Sequence, residues 1–330
     1  MEIAIVILNW NGRALLEHFL PSVINHSPQA TIYVADNASN DDSVPYLRAN
    51  FPQVNIIQNK TNGGYAKGYN DALRHLREDI LILLNSDVEV TQNWLVPLKS
   101  FFTQNPEVAA AQPKILDYNN RNLFEYAGAC GGYIDKLGYP YCRGRLFDNL
   151  EEDKGQYDEA VPVFWASGAC LVIRNKVFRD VEGFDEDYFA HQEEIDLCWR
   201  LFNKGYQVWA IPQSVVYHLG GGTLDNMHPR KTFFNFRNSL FSLLKNVSGF
   251  KVNYLIFTRL TLDGLAGIKF LLEGKPAHTW AIIRAHFSFY GNLALFLRKR
   301  KLVKGRRKYF QRFSVVVAYY LGNRRKFSDL

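Results

Sequence analysis

The first hundred residues alternate short apolar runs with stretches that can form helices, and this alternation limits the possible folds more than any other feature of the chain. The apolar runs are residues 3–8, 31–35, 54–57 and 80–84, and the helix-compatible stretches are residues 12–24, 43–50 and 66–77. Strands that alternate with helices are typical of βαβ units. The pattern therefore predicts an α/β fold with a mostly parallel sheet.

Polar residues follow three of these apolar runs. Asn9 and Asn11 follow the first run, Asp36 follows the second, and Asn85 and Asp87 follow the last. In an open α/β sheet, ligands bind in the crevice outside the carboxyl ends of the strands. We therefore expect these side chains to meet at one edge of the sheet, around one polar ligand.

Six segments occur in the order and spacing of a known enzyme family: VILNWNG, VADNASNDDS, NGGYAKGYN, LLNSDVEV, ASGACLVIR and GFDEDYFAHQEEIDLCWRL. On these motifs, roughly residues 1–223 resemble the family 2 glycosyltransferases, and most of all their bacterial rhamnosyltransferase-like branch. The resemblance implies a GT-A fold with a Rossmann-like, mostly parallel central sheet flanked by helices. It also implies transfer of a sugar from a nucleoside-diphosphate sugar, with inversion at the anomeric carbon.

The same resemblance implies a metal site. Asn85-Ser86-Asp87 stands at the D-x-D motif of the family, with asparagine at its first acidic position, so Asp87 is the better ligand. In similar enzymes a histidine completes the site, and His218 occupies that position before the glycine-rich residues 220–223. Mg²⁺ or Mn²⁺ would neutralise the departing diphosphate. The alternative is an ordinary polar turn at a strand end.

The catalytic base is expected in the segment HQEEIDLCWR. The family has Glu-Asp here, and Glu194 stands at the aspartate position, with Glu193 as its rival. Acidic residues in the first turn of a helix are also favourable for electrostatic reasons alone. Asp196 and Arg200 are four residues apart, which predicts a structural ion pair on the same helix.

The resemblance also implies the residues that bind the donor. They are Asn9, Asn11, Asp36, Asn62, Gly64, Lys67, Asn85, Ser167 and Gly168. In similar enzymes the carboxylate at Asp36 accepts a hydrogen bond from a pyrimidine ring, while Lys67 can meet a phosphate. A pyrimidine leaves both uracil and thymine open, so the donor is expected to be dTDP-rhamnose or a UDP-hexose.

Length and cysteine content limit the class of protein. With 330 residues, the chain is long enough for two or three structural units. We expect a nucleotide-sugar-binding half at 1–100, an acceptor-side half at 101–230 and a basic helical region at 231–330, with loops or a short hairpin between residues 101 and 160. The four cysteines form no CxxC pair, which favours a reducing compartment without structural zinc. No secretory signal is visible, so a cytoplasmic location is expected.

The last hundred residues differ in charge from the rest. Residues 231–330 contain 20 Lys and Arg against 3 Asp and Glu, and 8 of the 11 residues at 298–308 are basic. Helical patterns cover residues 232–247, 252–273, 277–297 and 308–321, none with the roughly 18 uncharged apolar residues of a spanning helix. Basic and aromatic residues together predict a peripheral contact with an anionic membrane surface rather than nucleic acid, on the inner face of the cell membrane.

The expected acceptor is a glycan, carried on a lipid, in cell-surface polysaccharide synthesis. Two alternatives stay open from the sequence. One is a sugar-1-phosphate nucleotidyltransferase, although the residues after the first strand lack its basic glycine-rich loop. The other is a non-catalytic adaptor that binds membranes or nucleic acid through its basic region. Binding to nucleic acid would be sensitive to salt.

Overall fold

The computed structural model describes residues 1–220, 228–300 and 308–330. The expected glycine-rich loop after Gly220 and most of the basic segment at 298–308 therefore lie outside the described residues.

Within these residues the chain forms thirteen strands and eleven helices. The strands are β1 (Ile3–Asn9), β2 (Thr31–Asp36), β3 (Asn55–Gln58), β4 (Ile80–Asn85), β5 (Val88–Val90), β6 (Val108–Asp117), β7 (Gly132–Ile134), β8 (Pro140–Cys142), β9 (Arg145–Leu146), β10 (Asn149–Leu150), β11 (Val161–Val163), β12 (Cys170–Arg174) and β13 (Gln207–His218). The helices are α1 (Arg13–His26), α2 (Ser43–Asn50), α3 (Gly64–Leu73), α4 (Leu95–Gln104), α5 (Asn175–Asp180), α6 (Glu193–Lys204), α7 (Pro229–Asn246), α8 (Lys251–Leu272), α9 (Pro276–Gly291), α10 (Leu293–Lys299) and α11 (Val315–Tyr320).

The central sheet is mixed rather than mostly parallel. Its order across the described strands is β11-β13-β6-β12-β4-β1-β2-β3, with β5 paired to β13. The first four strands are parallel, as predicted, but β12 runs antiparallel between β4 and β6. Along β12 the partners in β6 descend from Ala111, beside Val172, to Ala110, beside Ile173, so β12 starts on the carboxyl side of β6 and must run back. The predicted mostly parallel sheet is wrong for β12, β11 and β5.

The sheet is buried on both faces. Alternate side chains of β1 and β4 enter two separate apolar clusters, one on each side, as expected for a sheet covered by helices on both faces. In β6, nine of ten residues are buried, three of them consecutive alanines. The region at 101–160 therefore holds a central strand as well as the small antiparallel sheet β7–β10, where only loops or a short hairpin are predicted.

The C-terminal helices pack directly on the rest of the molecule. The ring of Phe241 in α7 stacks on Phe296 of α10 with 3.7 Å between centroids, and α7 also packs on α6. The predicted helix at 277–297 is two helices, α9 and α10, divided near Gly291, and only Val315–Tyr320 of the predicted 308–321 is α-helical. No helix in the described part of the chain is both long and apolar enough to cross a membrane.

Candidate functional site

The tips of β1, β2 and β4 lie side by side at the carboxyl edge of the sheet. The strand register sets Asn9 opposite Asp36 and Asn85 opposite Leu8. The Asn9 side-chain amide donates to Asp36 Oδ1 over 3.3 Å, and the Ser39 backbone N–H donates to Asp36 Oδ2 over 3.0 Å. Parallel pairing thus brings these polar residues together.

A cleft of about 960 Å³ opens at this edge. Ten of the thirteen predicted site residues line it: Asn11, Asn62, Gly64, Asn85, Asp87, Ser167, Gly168, Glu193, Glu194 and His218. The other three do not. Asn9 and Asp36 are buried beside the cleft, and Lys67 is ion-paired with Asp71 at 2.9 Å on the side of α3.

Asp87 and His218 form a buried pair at one side of the cleft. Asp87 immediately precedes β5, and His218 ends β13, where it pairs with Val88. The antiparallel pairing of these strands brings Asp87 Oδ1 to 3.1 Å from His218 Nε2. The Asn85 side-chain amide lies 3.4 Å from the same ring nitrogen. The residues of the predicted metal motif are therefore close to the predicted histidine.

Glu125 contacts the other side of the histidine ring, and sequence reasoning missed it. Its Oε1 lies 3.2 Å from His218 Nδ1, and its Oε2 accepts from the Ala127 backbone N–H over 2.6 Å. Burial lowers the pKa of His218, but the Glu125 and Asp87 carboxylates outweigh it and raise this pKa to about 10. Glu125 lies in a segment without a motif or regular periodicity, so no sequence signal marks it.

The Asp87–His218 pair fits a divalent cation as part of a larger ligand set. Among the described residues, no group of three or more His, Cys, Asp and Glu side chains could hold a metal by itself. The 3.1 Å between Asp87 Oδ1 and His218 Nε2 matches adjacent ligands in an octahedral shell of about 2.1 Å radius. A cation bound here would take further oxygens from a diphosphate and water, and His218 would release its proton.

The start of α6 aims two carboxylates at the cleft. Phe189, His191 and Gln192 all have positive φ (64°, 67° and 72°), a costly conformation for residues other than glycine and one that clusters at functional sites. This turn ends in Glu193 and Glu194. Both lie in the cleft lining, and among the described residues the Oε2 atom of each is buried without a hydrogen-bond partner.

The two carboxylates have different acidities. Burial raises the pKa of Glu194 to about 7, against the opposing effect of backbone N–H groups at the start of the helix. Burial also raises the pKa of Glu193, and the charge of Glu194 adds to the effect, so ionisation of one carboxylate opposes ionisation of the other. With a pKa of about 7, Glu194 can accept a proton near neutral pH.

Asn238 of α7 holds the strained turn before α6. Its side-chain amide donates to the backbone carbonyls of Tyr188, Ala190 and His191, at 3.1, 3.0 and 2.7 Å, and the residue is fully buried. Sequence reasoning missed it. The sequence offers no clear signal, because α7 mixes polar and apolar residues and its buried positions also include Ser239, Ser242, Lys245 and Asn246.

Asp196 ties α6 to α7. The predicted structural pair is present, with Arg200 Nε donating to Asp196 Oδ2 over 2.8 Å, and Lys245 Nζ lies 2.9 Å from the same oxygen. Lys245 also bonds Asp185 at 2.6 Å. Burial opposes the charge on Asp196, but Lys245 and Arg200 hold its pKa well below the ordinary value. Asp196 is therefore a structural residue.

Several known proteins are similar to this chain. A family model described as glycosyl transferase family 2 matches residues 4–181. The N-acetylglucosaminyl-diphospho-decaprenol L-rhamnosyltransferase of Mycobacterium tuberculosis is 27% identical over 231 residues, which cover 65% of this chain and 75% of that protein.

Two solved structures share the fold. TarS 1–349 of S. aureus in complex with UDP-GlcNAc has a TM-score of 0.56 at 14% identity, covering 86% of this chain and 81% of the TarS 1–349 chain. The mannosyltransferase PcManGT from Pyrobaculum calidifontis, in complex with GDP-Man and Mn²⁺, has a TM-score of 0.53 at 14% identity, with 88% and 87% covered.

Proposed function

Because the chain belongs to glycosyl transferase family 2, we propose that it moves a sugar from a nucleoside-diphosphate sugar to a hydroxyl group of a glycan, with inversion. One observation carries this proposal: a buried carboxylate with its pKa raised to about 7 faces the same cleft as the Asp87–His218 pair. A proton acceptor and a site for the diphosphate of the donor are the two parts that this chemistry needs.

Glu194 is the proposed base. Its carboxylate accepts the proton of the acceptor hydroxyl while that oxygen attacks the anomeric carbon, on the face opposite the departing diphosphate. A base is most effective when its pKa lies near the working pH, and the value of about 7 meets that condition. Direct displacement inverts the anomeric carbon and needs no covalent intermediate on the enzyme.

Asp87 and His218 are the proposed metal ligands, with Mg²⁺ or Mn²⁺ as the ion. When bound, the cation neutralises charge that develops on the leaving diphosphate. Glu125 would hold the His218 ring in the orientation that presents Nε2, as outer-shell carboxylates do in many metal sites. The presence of Mn²⁺ with GDP-Man in PcManGT supports the choice of ion.

The other predicted residues are proposed to bind the donor. Asn11, Asn62, Gly64, Asn85, Ser167 and Gly168 already line the cleft. Asp36 and Asn9 would reach the pyrimidine ring of the donor from beside the cleft. Lys67 would have to leave its ion pair with Asp71 to meet a phosphate of the donor. The rhamnosyltransferase name of the mycobacterial relative supports dTDP-rhamnose as the donor. The UDP-GlcNAc complex of TarS keeps a UDP-hexose as the second choice.

The proposed acceptor is a lipid-linked glycan in the synthesis of a cell-surface polysaccharide. The mycobacterial relative is named for a decaprenol-linked acceptor, which supports this class. A peripheral location on the cytoplasmic face of the membrane follows from such an acceptor and from the basic C-terminal region. With the family established, the nucleotidyltransferase and the non-catalytic adaptor lose their basis.

A thermal-shift panel tests the proposal. Purified protein is heated with UDP-, dTDP- and GDP-sugars, with and without Mn²⁺ or Mg²⁺, beside Asp87→Ala and a control, Asp180→Ala, at an exposed aspartate. The expected result is a metal-dependent stabilisation by one nucleotide class that is lost only in Asp87→Ala. Such a result identifies the nucleotide base of the donor. No stabilisation by any nucleotide sugar would contradict the proposal.

A further inference from the structure

Helix α8 exposes apolar side chains along one side. From the residue before the helix to its end, the series is Phe250, Tyr254, Phe257, Leu265, Ile268 and Leu272. These residues recur every three or four positions, with Thr261 and Gly264 in the gap, which puts them on one face of the helix. Phe250 is 93% exposed and Leu272 is 84% exposed. The chain therefore leaves a helix-long apolar stripe in contact with solvent.

Helix α9 repeats the pattern. Trp280, Ile283, Phe287 and Tyr290 are all exposed and lie on one side of it. A short turn joins the two helices, and the Thr279 hydroxyl donates to the Gly267 carbonyl over 2.8 Å between them. We call the two stripes together the α8–α9 face. Contiguous apolar surfaces of this kind mark interaction sites in soluble proteins.

The opposite sides of both helices pack inward. The Arg259 guanidinium of α8 donates to the Ser239 hydroxyl of α7 over 2.8 Å. In α9, the ring of Phe289 lies 5.9 Å from that of Phe241 in α7. Each helix thus has one side packed against the rest of the protein and a second, apolar side exposed to solvent, which a stable internal packing does not require.

Charge near the α8–α9 face selects its partner. Lys251 and Arg284 are exposed beside the stripes. The acidic residues of these two helices and their turn are both ion-paired: Asp263 is buried against Arg259, and Glu273 is paired with Lys269. A second copy would bring like charges together, whereas anionic lipid head groups complement them. Trp and Tyr side chains also favour the boundary between lipid and water.

We propose that the α8–α9 face lies in the head-group region of an anionic lipid bilayer, with both helices parallel to the membrane plane. The proposal rests on the proposed function, because it explains how the enzyme meets a lipid-linked acceptor. Arg259, on the inward side of α8, lines the cleft. The cleft therefore lies about one helix diameter, roughly 10 Å, from the membrane surface, within reach of a head group held at that surface.

Vesicle flotation of the full chain tests this surface. Vesicles of phosphatidylcholine with phosphatidylglycerol are compared with pure phosphatidylcholine, using the triple variant Phe257→Ser, Trp280→Ser and Phe287→Ser. The control is Val96→Ser, an equally exposed apolar residue of α4. The wild type and Val96→Ser should bind the anionic vesicles, and the triple variant should bind about tenfold less or weaker still, because it loses three interfacial aromatic side chains.

Other outcomes would overturn the proposal. Equal binding by the triple variant would assign attachment to basic residues alone. A wild type that ignores vesicles but dimerises, with a monomeric triple variant, would assign the face to a second copy. Brominated lipid should quench the Trp fluorescence of the wild type, and the quenching should be smaller in Trp280→Phe. This difference would locate the lipid contact on α9. Metal-dependent stabilisation of the triple variant by the donor shows separately whether the proposed function holds.

Discussion

Two neighbouring glutamates at the start of α6 are distinguished by how strongly each holds a proton. Glu194, whose pKa is about 7, should be ionised above that pH, whereas burial and the charge of Glu194 both oppose ionisation of Glu193. We expect Glu194→Gln to lower kcat by about 10²–10⁴-fold. In the wild type, kcat should fall about tenfold for each pH unit below 7, because the protonated base is inactive. Steady-state rates with a saturating donor, measured from pH 5 to 9, check both results.

Glu193→Gln is the matched control. Because burial and the charge of Glu194 favour the neutral form of the Glu193 carboxyl, a neutral side chain of the same shape should leave kcat close to the wild-type value and the pH profile in place. If Glu193→Gln abolishes activity while Glu194→Gln retains it, the roles of the two residues are reversed.

Glu125 acts on the site through His218. Its carboxylate lies 3.2 Å from His218 Nδ1, and removal of such an outer partner typically weakens metal binding by about 10–100-fold. We therefore expect Glu125→Gln to raise the Mn²⁺ concentration for half-maximal activity by that factor, with much of kcat recovered at saturating metal. A metal titration of the activity decides the point. An unchanged metal requirement, or a loss that metal cannot restore, would contradict it.

At the scale of elements, α7 contacts the turn that carries the proposed base. The three hydrogen bonds from Asn238 hold backbone carbonyls of the strained segment. Asn238→Ala should lower kcat by about tenfold or more, since the carboxylate loses its fixed position, while donor binding in the thermal-shift assay persists. The exposed Asn253→Ala on α8 is the control. Normal turnover by Asn238→Ala would show that the turn holds itself.

The contact between α6 and α7 should also depend on pH. Lys245→Met leaves the buried Asp196 carboxylate with Arg200 as its remaining cation, and losing one partner of a buried pair costs about 3–5 kcal/mol. The folded pKa of Asp196 is depressed, so its stabilisation is present above the unfolded value of about 3.9 and is lost on acidification. In urea unfolding, Lys245→Met should be destabilised most near pH 7 and least near pH 3.

Lys176→Met is the control for Lys245→Met. Lys176→Met, at an exposed lysine, should change stability by less than about 0.5 kcal/mol. A destabilisation of Lys245→Met that stays constant from pH 7 to pH 3 would mean that lost packing, rather than charge, explains it.

Sequence reasoning succeeded where local pattern determines position. Strand tips carry their polar residues to one edge, so the meeting of Asn85 and Asp87 at the cleft could be predicted without coordinates, whereas the position of Glu194 came from the resemblance to the family. It failed where distant segments meet: β12 enters the sheet antiparallel, Glu125 reaches His218 from 93 residues away, and Asn238 reaches the turn from 47 residues away. Such pairings depend on the path of the chain, which single-segment periodicity does not contain.

At the scale of the whole molecule, the C-terminal helices are packed into the unit that holds the cleft. The predicted boundary between residues 230 and 231 falls inside α7. This helix lines the cleft through Phe234 and Asn235, and through Ser242 it covers the fully buried Tyr188. A detachable membrane anchor would leave the active site intact when removed, whereas this region supplies part of its wall.

We therefore expect a chain that ends at residue 228 to lose metal-dependent stabilisation by the donor, because the turn before α6 and the Asp196 carboxylate lose their partners in α7. Dye binding to exposed apolar surface should rise. The matched comparison is the Phe257→Ser, Trp280→Ser and Phe287→Ser variant, which removes only the α8–α9 face and should keep the donor response. If the shortened chain binds the donor as the full chain does, the helices are an independent anchor, and the active site is complete without them.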